Sequence, residues 1–376
     1  MSDFSILPQD GVPAKSCQGR WTLVQLTGLT VDCRIGELAV QELRIGERML
    51  DTQGIILQVR NLRTYFHTPE GIVKAVDGVD IDVRRGEVLG LVGESGCGKS
   101  VTALSIMRLV EAPGWIESGE VWFEGRNLLA LDEAEMARVR GSQISMIFQE
   151  PISRLTPVFR VGDQVAEVLK VHRRLSGKEA WEQALALLET AGIPEPEKHA
   201  FSYPHELSGG MAQRVMIAMA LACTPQLVIA DEPTTALDVT IQMQILDLMR
   251  ELHSKVEVSV LLITHDLGVI SEVAERVAVM YAGRIVEQAD VESIFEGPLH
   301  PYTQGLLASI PPLGGGRDRL DAIEGAVPKL GNLPPGCKFA PRCQARIEHG
   351  LTRCLKEEPE LAATKPGQLV RCWLYH

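Results

Sequence analysis

The sequence predicts an α/β fold whose core is a parallel sheet. Between residues 88 and 274, short apolar runs alternate with segments of helical periodicity, the order that a parallel sheet with crossover helices requires. The first of these runs, Val88 to Val92, leads into a glycine-rich turn and then into a helix. The composition, 45% hydrophobic and 23% charged over 376 residues, is that of packed globular domains. This length suggests two or three domains.

The first 54 residues are predicted to be a separate N-terminal extension of unknown role. Their apolar residues alternate only weakly, as in short strands or a loose extended segment. Met49 stands just before the first well-organised strand, so part of this stretch is interpreted as an appendage outside the functional core or as a start-site artefact. Cys17 and Cys33 are interpreted as bystanders and not as ligands.

From residue 55 onward, periodicity assigns the elements in order. Strands are predicted at Ile55–Val59, Val73–Val83, Val88–Val92, Ile144–Phe148, Leu227–Ala230, Val258–Ile263, Arg276–Tyr281 and Arg284–Glu287. Helices are predicted at Lys99–Leu109, around Asp132–Arg140, across 161–192 as a helical insertion, and at Met211–Cys223, Ile241–Leu252 and Leu267–Ala274. Beyond Phe295, clusters of proline and glycine at 311–316 and 334–336 predict a linker and a loop-rich tail.

Charge and hydropathy exclude several classes of protein. A formal net charge of -12, from 37 basic and 49 acidic residues, disfavours general nucleic-acid binding, so a phosphate ligand needs a local site. Because no apolar run approaches the ~18 residues of a membrane-spanning helix and the N-terminus lacks a secretory pattern, we expect a cytoplasmic protein whose membrane role is peripheral. In that reducing compartment, clustered cysteines should serve metal or redox chemistry and not disulfides.

A phosphate-binding loop is predicted where the apolar run at 88–92 meets the following helix. Residues 93–100 read G-E-S-G-C-G-K-S, which fits G-x-x-x-x-G-K-[ST] in the strand-to-helix context that such a loop requires. Its glycines let the backbone wrap around phosphate, Lys99 reaches the β and γ oxygens, and the Ser100 hydroxyl binds Mg²⁺. The candidate ATP-binding residues here are Gly93, Glu94, Ser95, Gly96, Cys97, Gly98, Lys99, Ser100 and Val101.

A second apolar run, Leu227 to Ala230, ends in the carboxylates Asp231 and Glu232. Alone it would be an ordinary strand with an acidic end, but paired with a phosphate loop it becomes a Walker B strand. Asp231 would then hold Mg²⁺, and Glu232 would orient or deprotonate the attacking water.

Between these motifs, the sequence L-S-G-G-M opens an apolar helix. Ser208 is expected to cap that helix, whose first N–H groups, at Gly209 and Gly210, suit an anion. The order of the three motifs resembles that of the ATP-binding cassette (ABC) ATPases, whose signature motif is LSGG. The resemblance covers about residues 55 to 376. It implies a P-loop ABC ATPase fold with a parallel-sheet core, an antiparallel β subdomain and a helical subdomain at about 150–215.

The resemblance also assigns roles outside the three motifs. Gln149 resembles the Q-loop residue, residues 236–238 the D-loop, His265 the switch histidine, and Phe66 the aromatic that stacks on adenine, with Tyr65 as a substitute. It implies Glu232, His265 and Gln149 as catalytic residues, and Ser100, Gln149 and Asp231 as Mg²⁺ ligands. Two such chains would close head to tail, so that Ser208, Gly209 and Gly210 contact ATP held by the other chain.

Longer segments narrow the resemblance. Residues 203–211, 230–240, 280–283 and 300–303 are similar to the ATPase subunits of dipeptide and oligopeptide importers. This implies an ATPase domain at 55–296 and a C-terminal domain at 297–376. It also implies a second, non-identical ATPase, two membrane permeases and an extracytoplasmic solute-binding protein as partners, at the cytoplasmic face of the inner membrane. Peptide is the expected solute, with nickel, haem and glutathione as alternatives.

The sequence also distinguishes transport from the other activities of ABC ATPases. Cassettes that act on DNA or the ribosome carry long insertions, paired cassettes or basic surfaces, whereas Gln149 and Ser208 are only 59 positions apart, the chain has one P-loop, and its charge is -12. These features favour transport without nucleic acid. A regulatory ATPase without transport stays open.

The tail carries four of the eight cysteines, Cys337, Cys343, Cys354 and Cys372, spaced C-x5-C-x10-C-x17-C. The segment around Cys337 and Cys343 resembles the C-terminal segment of peptide-importer ATPases, some of which carry an iron-sulfur cluster, so we expect a four-iron (4Fe-4S) cluster here. Four thiolates also suit a structural Zn²⁺, the alternative, although close C-x-x-C pairs are absent. Four free buried thiols are the third interpretation. We expect this centre to be remote from ATP and to supply the folding energy of a tail poor in apolar residues.

Overall fold

The computed structural model describes residues 54–235, 238–309, 323, 325, 328, 330–331 and 333–376. The predicted N-terminal extension, the D-loop residues Ala236 and Leu237 and the linker at 311–316 lie outside the described residues. The chain divides into two units, Met1–Gln53 and Gly54–His376, and the description below concerns the second. None of the described helices is long and apolar enough to cross a membrane.

Twelve strands and twelve α-helices make up the described part of this unit. The strands are β1 Ile55–Thr68, β2 Gly71–Arg84, β3 Val88–Val92, β4 Gly114–Phe123, β5 Arg126–Asn127, β6 Ile144–Ile147, β7 Leu227–Asp231, β8 Ser259–Thr264, β9 Arg276–Tyr281, β10 Arg284–Asp290, β11 Ala362–Lys365 and β12 Gln368–Val370. The helices are α1 Lys99–Ile106, α2 Glu133–Val139, α3 Pro151–Arg154, α4 Val161–Arg173, α5 Gly177–Thr190, α6 Pro196–His199, α7 Gly209–Leu221, α8 Val239–Val256, α9 Leu267–Val273, α10 Val291–Glu296, α11 Pro301–Ala308 and α12 Gln344–Glu348.

The main sheet has eight strands in the order β11-β12-β10-β9-β3-β8-β7-β6. Its centre, from β9 to β6, is parallel as predicted. The sheet as a whole is mixed, because β10 runs antiparallel to β9. Ala282 and Gly283, with φ of 45° and 81°, join these two strands in a two-residue turn of the type that favours a hairpin.

The central strands are apolar throughout because both faces of the sheet are covered. In β3, Val88 and Val92 belong to the core shared with the helices, whereas Leu89 and Leu91 belong to the core shared with the second sheet. All five residues of β3 are buried. The phosphate loop that follows therefore starts from a strand that is held on both sides.

The second sheet is antiparallel, in the order β2-β1-β4-β5, and corresponds to the implied antiparallel β subdomain. Sequence periodicity did not indicate β4. Only Val121 and Phe123 of its ten residues are buried, so the alternation that signals a strand is confined to its last three positions. β4 nevertheless pairs with β1 and positions the residues around Phe66.

The helical layer lies where the sequence predicts an insertion. Val161, Val165 and Leu169 place one buried stripe on α4, and α5 begins at a capping box formed by Ser176 and Glu179. Both helices pack against α7 as part of the main core. The short helix α3 begins at Pro151, two residues after Gln149, and connects this layer to the site.

The C-terminal segment, defined here as the described residues from 297 onward, is more structured than the predicted loop-rich tail. β12 pairs with β10 and so extends the main sheet. Phe339 is buried in the main core, with its ring centroid 5.2 Å from that of Tyr281 and 5.5 Å from that of Tyr302. Part of this segment therefore packs into the core of the ATPase sheet and does not need a core of its own.

Candidate functional site

The phosphate loop connects β3 to α1 with a backbone that only glycine can follow. Gly98 has a φ of 111°, and a Cβ there would lie 2.2 Å from the carbonyl oxygen of Ala75. Ser95 and Gly96 are exposed at the tip of the loop, and Val101 lies in the first turn of the helix. The loop backbone thus stands open to a ligand at its tip and is tightly packed at its base.

Lys99 folds back over this loop. Its ammonium nitrogen Nζ donates to the carbonyl oxygens of Gly93 at 2.8 Å and Glu94 at 3.2 Å, and the residue is 4% exposed. The side chain of Cys97 is buried in the second core, and burial raises the pKa of its thiol. Only the backbone of Cys97 is therefore suited to contact a phosphate, while Lys99 supplies a positive charge inside the loop.

Asp231 ends β7 beside the start of α1. The Ser100 hydroxyl donates to Asp231 Oδ1 at 2.9 Å. Burial, with repulsion from Glu232, raises the pKa of Asp231 to about 6 despite that hydrogen bond. A desolvated carboxylate next to a hydroxyl is a hard-oxygen donor set that a divalent cation would stabilise in its charged form, so these residues fit Mg²⁺.

The carboxylate of Glu232 contacts polar side chains from three loops. Its Oε2 accepts from Gln149 Nε2 at 3.0 Å and from the Thr235 hydroxyl at 2.7 Å, and lies 3.3 Å from Nδ1 of His265. Its Oε1 is 4.0 Å from Lys99 Nζ. Lys99, Gln149 and His265 were all predicted as site residues. Thr235 was not, because a threonine in the turn after a strand carries no distinctive signal.

The backbone of Glu232 is itself unusual. Its φ of 47° lies in the left-handed region, which is rare for a residue other than glycine. The turn is held by the Glu232 N–H, which donates to Ile263 O at 2.8 Å, and by its carbonyl, which accepts from Thr235 N at 3.2 Å. This conformation turns the side chain out of the strand direction, so that two adjacent carboxylates have different surroundings.

The two candidate adenine aromatics differ in environment. Tyr65 is buried, and its hydroxyl donates to Asp77 at 2.8 Å, so the ring is part of the core. Phe66 is half-buried on β1, and its ring lies against Gly114, where a Cβ would come within 2.5 Å. Phe66 is therefore more accessible to a flat ligand than Tyr65.

The LSGG motif forms the exposed start of α7. The Ser208 hydroxyl caps the helix by accepting from Met211 N at 3.3 Å. Ser208 and Gly209 are exposed, and Gly210 is half-buried against Ile241. The first N–H groups of a helix have no partner within the helix, so this exposed helix start could bind a ligand presented from outside this chain.

The four tail cysteines lie in one neighbourhood. Each of Cys337, Cys343, Cys354 and Cys372 interacts electrostatically with the other three, and Cys337 N donates to Cys354 O at 2.8 Å. Burial raises the pKa of all four thiols, to about 12 for Cys337 and about 11 for Cys372. Within the described ranges, however, no three His, Cys, Asp or Glu side chains are grouped so as to hold a metal ion. The predicted metal centre is thus not confirmed.

The C-terminal segment also contacts the phosphate loop. Arg342, the neighbour of Cys343, forms an ion pair with Glu94 of the phosphate loop. The contact spans 248 positions of sequence, and sequence reasoning had no signal for it.

Comparison with known proteins adds to this geometry. The ABC transporter family matches residues 76–235, and the family described as the oligopeptide/dipeptide transporter C-terminal region matches residues 286–349. The oligopeptide transport ATP-binding protein AppD of Bacillus subtilis is 52% identical over 85% of this chain and 97% of its own length. The chain belongs to the ABC transporter ATPase family. It is an ATP hydrolase of that family, in agreement with the prediction from its motifs.

Other relatives agree with this assignment. The dipeptide transport ATP-binding protein DppD of B. subtilis is 48% identical over 85% of this ABC ATPase and 94% of its own length. Among solved structures, the ATP-binding cassette MJ0796, a dimer bound to ADP and phosphate in a post-hydrolysis state, has a TM-score of 0.58 at 30% identity. The match covers 63% of this chain and 99% of that one.

Proposed function

We propose that this chain is the ATPase subunit of a bacterial ABC importer for dipeptides or oligopeptides. The observation that carries the proposal is the pairing of the site around Glu232 with a C-terminal region that matches oligopeptide/dipeptide transporters over 286–349. The two named relatives, an oligopeptide and a dipeptide transport protein, support the same solute class. Nickel, haem and glutathione are the alternative solutes.

The ATP chemistry follows from the loop and the carboxylates. The backbone of Gly93–Val101 would cradle the phosphates, Lys99 would neutralise the β and γ oxygens, and Phe66 would stack on adenine. Mg²⁺ held by Ser100, Gln149 and Asp231 would neutralise charge that develops on the transferring phosphoryl group. Glu232 would orient or deprotonate the water, with Gln149 and His265 fixing its carboxylate through the contacts already described.

One chain supplies half of each nucleotide site in this proposal. Ser208, Gly209 and Gly210 would contact the γ-phosphate bound to a second, non-identical ATPase, and closure of the pair would depend on ATP. The dimer seen for MJ0796 supports this arrangement. The remaining partners are two membrane permeases, which would contact the helical subdomain at about 150–215, and an extracytoplasmic solute-binding protein. We propose a location at the cytoplasmic face of the inner membrane.

We propose three parts of the chain with different roles. Residues 1–54 would be an extension, 55–296 the ATPase domain and 297–376 the C-terminal domain characteristic of peptide importers. The antiparallel pairing of β12 with β10 means that the last two parts share a sheet. We therefore propose that they fold together.

The hydrolytic role is tested by Glu232→Gln in the transporter assembled with its permeases. The amide keeps the shape of the side chain but cannot act as a base, so ATP hydrolysis should fall by roughly 10²–10⁴-fold while ATP is still bound. The exposed Glu292→Gln, in the first turn of α10, is the matched control and should hydrolyse ATP normally. Near-normal turnover of the Glu232 variant would refute the role.

The solute is tested with the same assembly. A binding protein loaded with a dipeptide or an oligopeptide should stimulate ATP hydrolysis, and the same protein offered nickel, haem or glutathione should not. Stimulation by one of those three in place of peptide would replace the proposed solute. Failure of the chain to co-purify with two permeases would refute an importer altogether.

We also propose that Cys337, Cys343, Cys354 and Cys372 hold a 4Fe-4S cluster, with Zn²⁺ as the alternative. Support comes from their mutual electrostatic interactions and from the packing of Cys337 and Cys343 against the ATPase core. A single zinc ion binds sulfur at about 2.3 Å, so four sulfurs around it lie about 3.8 Å apart. The described side chains include no such group of three, so zinc would require the cysteines to move, whereas a larger cluster spans wider spacings.

Protein purified without oxygen distinguishes these outcomes. A cluster predicts broad visible absorbance that bleaches on reduction, with iron and acid-labile sulfide in equal amounts. Cys354→Ser should lower the iron content, while the same change at Cys223, outside the segment, should not. Colourless protein with one zinc per chain, or with no metal, would refute the cluster.

A further inference from the structure

The C-terminal segment contacts the phosphate loop through a partly buried ion pair. Arg342 NH1 donates to Glu94 Oε2 at 2.8 Å, and NH2 donates to Oε1 at 3.1 Å. The Arg342 side chain is only 6% exposed. A guanidinium that binds both oxygens of a carboxylate holds it in one orientation, more rigidly than a single ammonium can.

A second residue of the same segment holds the backbone of Glu94. The Tyr302 hydroxyl accepts from Glu94 N at 2.9 Å. Tyr302 is fully buried, its ring centroid lies 4.6 Å from that of Tyr281, and it sits in the first turn of α11. Its hydroxyl therefore has a fixed position relative to the sheet.

Glu94 is also the residue whose carbonyl accepts from Lys99 Nζ, at 3.2 Å. Glu94 is thus bonded both to Lys99 of the loop itself and to Arg342 and Tyr302 of the C-terminal segment. A displacement of Glu94 would move the loop backbone and the ammonium group together.

We propose that Arg342 and Tyr302 are positioning residues for the phosphate loop, through which the C-terminal segment sets the affinity for nucleotide. The inference rests on the proposed nucleotide site at 93–101. A loop that is already ordered loses less conformational freedom when phosphate binds, so its affinity is higher. Loss of these bonds to Glu94 should weaken nucleotide binding by about tenfold, or about 1.4 kcal/mol, without removing any group that touches ATP.

The test uses the full chain and the Mg²⁺ complex of adenylyl imidodiphosphate, with affinity measured by calorimetry. Arg342→Gln should raise the Kd about tenfold, and Arg342→Lys, which keeps the charge but not the paired geometry, should recover part of it. Tyr302→Phe keeps the ring and should raise the Kd severalfold. In the assembled transporter, KM for ATP should rise in parallel while kcat changes less than twofold.

The matched control is Arg353→Gln. Arg353 lies in the same segment and also bonds a glutamate, Glu357 at 2.7 Å, but these contacts, including its packing on Trp373, stay within the C-terminal segment. Its Kd should equal that of the wild type. If Arg342→Gln does not fold, Tyr302→Phe decides the question.

The outcomes separate this inference from the proposed function. A wild-type chain that binds no nucleotide would overturn both. Wild-type binding together with a Kd within twofold of it for both Arg342→Gln and Tyr302→Phe would overturn the positioning role alone. A fall in kcat with unchanged KM and Kd would also overturn it, because that pattern indicates damage to chemistry and not to loop position.

Discussion

His300 provides a pH-dependent test of how the C-terminal segment is held. It caps α11, where its Nδ1 accepts from Tyr302 N at 3.0 Å, and it is 1% exposed. An imidazole can accept at that nitrogen only when it is neutral. Burial first, and the charge of Arg371 second, lower the pKa of His300 from 6.5 to about 3. The folded protein therefore keeps this ring neutral at pH values where the unfolded chain protonates it.

The sign and size of the effect follow from this difference in pKa. Because the folded-state pKa of His300 is depressed, its contribution to stability is fully present above the unfolded value of 6.5 and is lost as the pH falls towards about 3. Between pH 7 and pH 5, protonation of the unfolded chain alone removes about 2 kcal/mol from the free energy of unfolding. The complete loss at lower pH approaches about 5 kcal/mol.

Urea unfolding at pH 7 and pH 5 measures this loss in the wild type and in His300→Asn. Asparagine can still cap the helix but does not titrate, so the variant should lose about 2 kcal/mol less than the wild type between the two pH values. Other titrating groups cancel in that comparison. His205→Asn, at an exposed position, should behave as the wild type. Equal pH dependence in the wild type and His300→Asn would refute the reasoning.

Three further predictions concern the phosphate site. Gly98→Ala combines a φ of 111° with a Cβ 2.2 Å from Ala75 O, so urea unfolding should show that the free energy of unfolding falls by more than about 3 kcal/mol. Gly125→Ala, with a φ of 72° and open space around it, should lower the free energy of unfolding by only about 1–2 kcal/mol. Equal losses would contradict this. Lys99→Ala should weaken calorimetric ATP binding at least about tenfold, since it removes the buried charge of the loop, and unchanged affinity would contradict the assignment. Burial raises the pKa of Asp231 to about 6, so its stabilising contribution to the Mg²⁺-free fold is lost as the pH rises from about 4 through 6. Asp231→Asn should therefore be up to about 3 kcal/mol more stable than the wild type at pH 8, and MgATP should no longer stabilise it. A variant that is less stable at pH 8 would refute this.

The local chemistry of the site could be predicted because it depends on neighbouring residues. A loop that wraps phosphate needs its glycines, lysine and serine in one run of eight, and a Walker B strand needs its carboxylates directly after an apolar run. The buried strands β3, β7 and β8 were equally visible, since a strand covered on both faces is apolar throughout. The helix boundaries differ from those predicted by a few residues.

The elements that were missed carry weak local signals. In β4 only two of ten residues are buried, and β11 and β12 are four and three residues long. They are strands because β4 pairs with β1, β12 with β10 and β11 with β12, and no property of the segments themselves encodes this pairing. Thr235 was missed for a similar reason, because its role is defined by the position of Glu232.

The sequence by itself determined the α/β class, the phosphate loop, the two carboxylates and the signature helix, because each depends on residues that are adjacent in the chain. Only the tertiary structure decided that Gln149, Thr235 and His265 meet at Glu232, and that Arg342 and Tyr302 hold Glu94. Contacts between residues up to 248 positions apart are set by how the sheet brings its strands and loops together. A single sequence contains Arg342 and Glu94 but does not show that they pair. The chain has many arginines, and the one that contacts Glu94 is decided only when the core packs and brings the two segments together.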